Sequence, residues 1–327
     1  MPINFNHDII GNFTPYSKQE IISFLDSEYG IEARELKIFN NAMDNTVIDI
    51  NNHYILKIYE NKTLSFVKSS IINYKKFKDF YCINLIANKK NNDICFFKFK
   101  PTILYEKALG IFTNELSSLI SHIATFHKVS CSSFCMLDTE NTIMKISKKI
   151  NFYFNNKVKK ELKTHGRLKT YQSLIDKLPY LNSLKFNIPL SYGFIHGDCS
   201  PDNLIIAPHK VSFLDFDSIK IGIQLFDLTD LLLKYSNKPN KDEELKIIQK
   251  YCKITRFYKN SELIYLYNLI NIISCYRGLL MALSTEYYCF EKQKFSPEIM
   301  DNLFLNKVLL LINNVKCRFK ELKICQE

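Results

Sequence analysis

Over the first hundred positions the apolar residues come in short runs of strand length, broken by polar turns. The runs ELKIF (35–39), NTVIDI (45–50) and HYILKIY (53–59) are rich in β-branched and aromatic residues. Asn51 and Asn52, between the last two, have the composition of a tight hairpin turn. DICFFKFK (93–100) and TILYEK (102–107) read as two further strands that straddle Pro101. Two segments have helical spacing instead: Ser17 to Asp26, with Ile21, Ile22 and Leu25 on one face, and Leu64 to Phe80, with Phe66, Ile71, Tyr74 and Phe77. A small antiparallel sheet carrying a packed helix is expected.

Past Gly110 the period lengthens to that of helices. Leu116, Leu119, Ile120, Ile123 and Phe126 form one stripe behind a candidate cap at Asn114. Ile143, Ile146, Ile150, Phe154, Val158 and Leu162 form another as far as Gly166, with lysines on the opposite face. Helical patterns recur over 243–251, 262–283 and 297–319, and only 194–218, FIHGDCSPDNLIIAPHKVSFLDFDS, reads as strand and loop in this half. The pattern predicts an α+β chain in two parts, residues 1–105 and 106–327, hinged at about 105–110.

Composition narrows the class. With 46% hydrophobic and 24% charged residues in 327, the chain can bury sizeable cores, which excludes disorder and disulfide-stapled mini-domains. Ten scattered cysteines without a Cys-x-x-Cys pair read as buried free thiols. The start MPINFNHDII has no basic, apolar leader pattern, and the apolar run Leu263 to Leu283 is interrupted by Asn268, Asn271 and Arg277. A cytoplasmic protein with no membrane partner is the expectation.

A net charge of +11 raises the question of a nucleic-acid partner. Its distribution argues against one. Residues 140–170 hold nine basic and two acidic side chains, but the lysines lie opposite an apolar stripe, as on a solvated helix face. Residues 195–230 are the exception, with two basic and six acidic side chains, net −4.

That acidic segment carries the candidate chemistry. His196-Gly197-Asp198-Cys199-Ser200-Pro201-Asp202-Asn203 fits His-x-Asp-x-x-x-x-Asn, and Asp215-Phe216-Asp217 begins twelve residues after Asn203, at the end of the apolar run VSFL. Phosphoryl transfer from ATP needs an aspartate to accept or orient the substrate hydroxyl. It also needs an oxygen-bearing side chain a few residues on and a second aspartate on a neighbouring strand to hold Mg2+. Asp198, Asn203 and Asp215 have those identities in that order.

These motifs resemble the aminoglycoside phosphotransferase and choline kinase superfamily: HGDCSPDN matches its HGDxxxxN, LDFDS its DFD-like metal motif, and Phe226-Asp227-Leu228-Thr229 its DLA-like element. Lys57 in YILKIY is similar to the family's phosphate-binding lysine, DNTVIDI (44–50) to its eNxvyxV strand pair, and Ile123-Ala124-Thr125-Phe126-His127 more loosely to its LAxLH element. The resemblance implies a bilobal protein-kinase-like fold, with a small antiparallel-sheet N-lobe for nucleotide and a larger, mainly helical catalytic C-lobe. It implies an ATP- and Mg2+-dependent phosphotransferase acting on a small-molecule hydroxyl, in an aminoglycoside, an amino alcohol such as choline, or a homoserine-like compound. Asp198 would be the catalytic base, Asn203 and Asp215 the Mg2+ ligands with help from Asp217, and Lys57 the partner of the α/β-phosphates. Tyr105, Glu106 and Lys107 would meet adenine, His196 would brace the loop and Asp227 would support it. The −4 segment would also suit an amino or quaternary-ammonium acceptor.

Two features depart from the family. No acidic residue lies between Glu60 and Asp79 to pair with Lys57; Ser69, Ser70 and Asn73 fill that window. The proposed phosphate loop, Asn40 to Asn45, has no glycine. The missing glutamate motivates an alternative, a degenerate kinase fold serving as a nucleotide-binding or structural module. The intact Asp198, Asn203 and Asp215 favour the enzyme.

Overall fold

The computed structural model describes residues 9–10, 16–39, 45–81, 83–112, 115–136, 139–181, 188–207, 210–235, 239–293 and 302–322. The proposed phosphate loop up to residue 44, the cap at Asn114 and residues 297–301 of the last predicted helix lie outside them. Two compact units emerge: Met1–Ile111 with Ile206–Asp217, and Phe112–Ile205 with Ser218–Glu327.

In the first unit, β1 (Ile9–Ile10) pairs β2 (Tyr16–Ser17), which leads into α1 (Lys18–Tyr29). Ser17 and Glu20 close a capping box on α1, and Gly30, at φ 70°, ends it in the left-handed conformation. The sheet runs β3-β4-β5-β8-β6, with β7 on β8. Its strands are β3 (Leu36–Ile38), β4 (Asn45–Ile50), β5 (Tyr54–Tyr59), β6 (Leu85–Ile86), β7 (Cys95–Phe97) and β8 (Lys100–Glu106). Every pairing is antiparallel. Asn51 and Asn52 both take positive φ in the β4–β5 turn, as their composition predicts. Pro101 does not separate two strands: it is the second residue of β8, at the strand's start, where a missing N–H is tolerated, and the turn falls at Lys98 and Phe99, both at positive φ.

Strand alternation decides which β5 side chains reach which face. Leu56 and Ile58 join Ile48, Ile50, Leu104, Ile21 and Leu25 in one buried core, which leaves Lys57 and Tyr59 on the other face. Helix α2 (Leu64–Lys76) is capped by Thr63 and buries Val67, Ser70, Ile71 and Tyr74. Phe66, expected on that face, is largely exposed because the buried stripe begins one residue later. The segment 206–217 is held by a parallel bridge from Tyr81 to Phe213 and by stacking of Tyr74 on Phe216, with centroids 4.8 Å apart.

The second unit is largely helical. Its first half contains β9 (Ile111–Phe112), α3 (Leu116–Ser130), α4 (Thr139–Tyr153), α5 (Lys159–Thr164), α6 (Leu168–Ile175) and α7 (Leu178–Leu181). A π-helical turn over Phe154–Val158 joins α4 to α5. The stripe Ile143, Ile150, Phe154, Val158, Leu162 is buried along this whole run, while Lys145, Lys148, Lys149 and Lys157 are exposed. That is the solvated basic face expected from the sequence. A three-stranded antiparallel sheet of β10 (Cys131–Met136), β11 (Pro189–Ile195) and β14 (Lys220–Ile223) frames the HGDCSPDN loop. Strand β10, which follows α3 without a break, was not visible as strand in the apolar pattern.

The intervening β12 (Leu204–Ala207) and β13 (Lys210–Phe213) precede LDFD. Then come α8 (Leu225–Lys234), α9 (Lys241–Thr255), α10 (Leu263–Gln293) and α11 (Asn302–Glu321). Helix α10 is long and apolar enough to cross a membrane, but 78% of that window is buried inside the fold, and its Ile272, Cys275, Leu279 and Leu283 pack in one core with Val308, Leu311 and Val315 of α11.

Candidate active site

The candidate residues fall into two groups, one in each unit. In the first, alternation on β5 aims Lys57 at the LDFD turn. Its Nζ lies 2.6 Å from Asp217 Oδ2 and 3.1 Å from Asp215 Oδ1. The Lys57 side chain is 7% exposed, so burial alone would suppress its charge. The two carboxylates outweigh that penalty and hold its pKa above the ordinary lysine value. Asp217 is itself pushed up by burial and by the neighbouring Asp215, against the pull of Lys57.

Asp217, a candidate metal ligand in the sequence, is held by several protein groups. Tyr59 donates its hydroxyl to Oδ1 at 2.7 Å, while Oδ2 takes Lys57 and, at 3.3 Å, the Asn45 amide. With both oxygens engaged in a buried setting, Asp217 is the counter-ion of Lys57. Helix α2 has no acidic residue to offer Lys57. That helix contributes through Ser70 instead, whose hydroxyl donates to the Asp217 backbone carbonyl at 3.2 Å. The acidic residue that closes β5, Glu60, is taken by Lys100, Thr46 and Tyr16.

Tyr105 belongs to β8, and Lys57 and the two aspartates act on its phenol, whose pKa burial raises. The N–H groups of Glu106 and Lys107 already donate to the carbonyls of Asn84 and His53 at 2.9 and 2.7 Å. Both N–H groups are thus occupied, and the stretch outside any strand begins at Lys107.

The second group hangs from α8. Asp227, fully buried, accepts from the N–H groups of His196 at 2.6 Å and Gly197 at 2.9 Å and lies 3.1 Å from His127 Nε2. Burial works against its charge, but the imidazole and the backbone donors prevail and its pKa falls below the usual carboxylate value. His127 is held in turn by Tyr251, 2.8 Å from Nδ1. His196 is buried and its Nδ1 accepts from the Asp198 N–H at 3.4 Å, a bracing contact inside the loop. Gly197 sits at φ 81°, and a Cβ there would come within 2.3 Å of the Ser218 carbonyl oxygen. Gly197→Ala should therefore cost about 1–3 kcal/mol or more from strain at that conformation. The check is chemical denaturation, with a drop in the midpoint and no change in slope.

Asp198 emerges half-exposed from this support. Its Oδ2 accepts from Asn203 Nδ2 at 3.1 Å, and its backbone carbonyl from the same amide at 2.9 Å. Lys234, the last residue of α8, places Nζ 2.5 Å from Oδ1. Chiefly because of that ammonium, the Asp198 carboxyl is held well below the usual carboxylate range and is ionised at neutral pH. Lys234 was missed in the sequence. The available signal was its position seven residues after Asp227, two turns along one helix face.

All six aspartates of the acidic segment have partners. Lys57 meets Asp215 and Asp217, Lys234 meets Asp198, Arg277 meets Asp230, and Lys307 lies 3.4 Å from Asp202. Asp227 has His127 and two N–H groups. The basic side chains come from outside residues 195–230, so the −4 of that segment is not the field at the site.

Each unit keeps one hard oxygen donor of the kind a divalent cation takes. The Asn203 amide nitrogen faces Asp198, which leaves its Oδ1 as an acceptor, and Asp215 uses Oδ1 for Lys57 and the Asp217 N–H, which leaves Oδ2. Mg2+ takes one or two protein oxygens and fills its remaining positions with phosphate and water. Among the described residues no three His, Cys, Asp or Glu side chains converge as a soft-metal site would require.

Comparison with known proteins places the fold. Residues 116–258 match the family model described as the phosphotransferase enzyme family. Spectinomycin phosphotransferase, in complex with ADP and spectinomycin, is similar over 94% of this chain and 98% of its own, with a TM-score of 0.63 and 14% identity. Amicoumacin kinase, in complex with AMP-PNP and Ca2+, is similar over 95% and 96%, with a TM-score of 0.62 and 15% identity. Choline kinase from Streptococcus pneumoniae is similar over 92% and 99%, with a TM-score of 0.60 and 14% identity. No curated protein sequence matches the chain. The fold is the protein-kinase-like fold of these enzymes, as the sequence motifs implied.

Proposed function

We propose, from the match of residues 116–258 to the phosphotransferase enzyme family model, that the chain is a cytoplasmic small-molecule kinase that transfers the γ-phosphoryl group of ATP to an acceptor hydroxyl. The observation that carries this reading is Asp198: an ionised, half-exposed carboxylate held by Asn203 and Lys234 on a loop that Asp227 fastens from behind. An acceptor hydroxyl donates to Asp198, its oxygen bonds to the γ-phosphorus as the bridging bond to ADP breaks, and its proton passes to the carboxylate. Lys57, kept protonated by Asp217, is the cation for the α/β-phosphates. Asn203 and Asp215 are the residues that would hold Mg2+, which when bound neutralises charge on the β- and γ-phosphate oxygens. The segment 105–110 is the proposed hinge beside the base.

The test is consumption of ATP across a panel of sugars, amino alcohols and aminoglycosides, with and without Mg2+. In Asp215→Asn the metal concentration for half-maximal rate should rise at least about tenfold, the scale on which metal sites respond to a lost oxygen partner. An unchanged Mg2+ dependence in that variant removes Asp215 from the metal site. The degenerate-fold alternative, motivated by the glutamate missing from the helix, predicts instead no Mg2+-dependent ATP consumption and no effect of Asp215→Asn.

A further inference from the structure

Helix α8 grips the catalytic loop twice. Asp227, in its first turn, holds the backbone at His196 and Gly197; Lys234, in its last, holds the side chain of Asp198. Between them Asp230 is occupied by Arg277, which approaches through Nε at 2.6 Å and stacks 4.8 Å over Phe226. Asp230 is therefore committed elsewhere, and Asp198 is the carboxylate that Lys234 meets.

An ammonium has three N–H donors. Among the described residues Lys234 makes one hydrogen bond, to Asp198 Oδ1, and its side chain remains 21% exposed. Two donors are thus left beside the atom that receives the acceptor's proton. The lysine is pre-positioned, because its stem is largely buried at the end of a helix whose Leu228, Leu231 and Leu232 are fully buried.

We propose that Lys234 selects the acceptor: it binds an oxygen function, a second hydroxyl or a carboxylate, next to the reacting hydroxyl, and it rejects alcohols that carry an ammonium there. The assignment rests on the reading of Asp198 as the base. It replaces the cationic acceptor suggested by the acidic segment, since Asp198 is already paired with the Lys234 ammonium. Like charges brought together in a partly desolvated site repel strongly enough to invert a preference between otherwise similar acceptors. The transfer itself is unchanged. The acceptor oxygen gains the phosphoryl group, Asp198 gains the proton and ADP leaves.

The experiment compares wild type, Lys234→Glu and Lys234→Met on glycerate and myo-inositol, whose hydroxyls are flanked by oxygen, and on choline and ethanolamine, whose hydroxyls are flanked by nitrogen cations. Circular dichroism first establishes that each variant is folded, and Lys234→Met adds no new charge should Lys234→Glu fail. Wild type should favour the oxygen-flanked probes in kcat/KM by at least about tenfold, and Lys234→Glu should shift that ratio by about a hundredfold toward the cations, with Lys234→Met between them. A wild-type preference for the cations overturns the proposal, as does a ratio that both variants leave within about threefold. Calorimetric binding of the same probes with AMP-PNP and Mg2+ reads the selection without turnover. The same inversion in binding supports the assignment even if no phosphate is transferred, in which case only the kinase reading fails; binding of no probe by wild type overturns it.

Discussion

Asp198→Ala should lower kcat by about 10²–10⁴, the usual scale for removing a general base, while the dissociation constant for ATP stays near wild type. The separation is expected because Asp198 and Lys57 belong to different groups of residues. Lys57 has its own counter-ions, Asp215 and Asp217, within its own unit. Lys234 loses its acceptor in this variant, but with 21% of its side chain exposed it can be hydrated in place. Single-turnover transfer and nucleotide titration on the same preparation measure the two quantities. Turnover at the wild-type rate would remove Asp198 from the chemistry, and loss of ATP binding in step with activity would make it a structural residue.

The second large effect is on stability. Asp227→Ala should cost about 3–5 kcal/mol, because it strips a fully buried imidazole and two loop N–H groups of their shared acceptor at once. The pH dependence has a definite sign. The folded state lowers the pKa of Asp227, so its contribution is complete above the ordinary carboxylate pKa and is lost as pH falls through the depressed folded value. Denaturation curves of wild type and Asp227→Asn should therefore converge as the pH is taken down through that range. A gap that stayed constant, or one that widened on acidification, would show that the charge of Asp227 does not stabilise the loop. Activity should fall with stability, since the same two N–H bonds shape the turn that presents Asp198.

Much of this was legible in the chain. The β4–β5 hairpin follows from two asparagines that tolerate positive φ, and the buried stripe from Ile143 to Leu162 from spacing alone. These are local properties, decided by neighbours in sequence. The stripe even passes through a π-helical turn, where one extra residue per turn restores the phase that a strict helix would lose. Strand β10 was hidden because CSSFCM has little apolar alternation, and its pairing with β11 makes it a strand. The Pro101 boundary failed for a related reason: proline breaks a ladder only where its N–H is needed, and at the head of β8 it is not.

The order and identity of the chemical groups were sequence properties: Asp198, Asn203 and Asp215 in their motif spacing, and a lysine at 57 on an alternating strand. What each side chain faces was decided only in three dimensions. Asp217 became a counter-ion because Tyr59, Lys57 and Asn45 converge on it from strands more than 150 residues away in the chain. Lys234 reached Asp198 because a helix fastened at Asp227 carries it there. The acidity of residues 195–230, read as a sum over one segment, vanished as a field for the same reason. Charge acts through distance in space, and the lysines and arginine that cancel it come from elements that the segment meets only after folding.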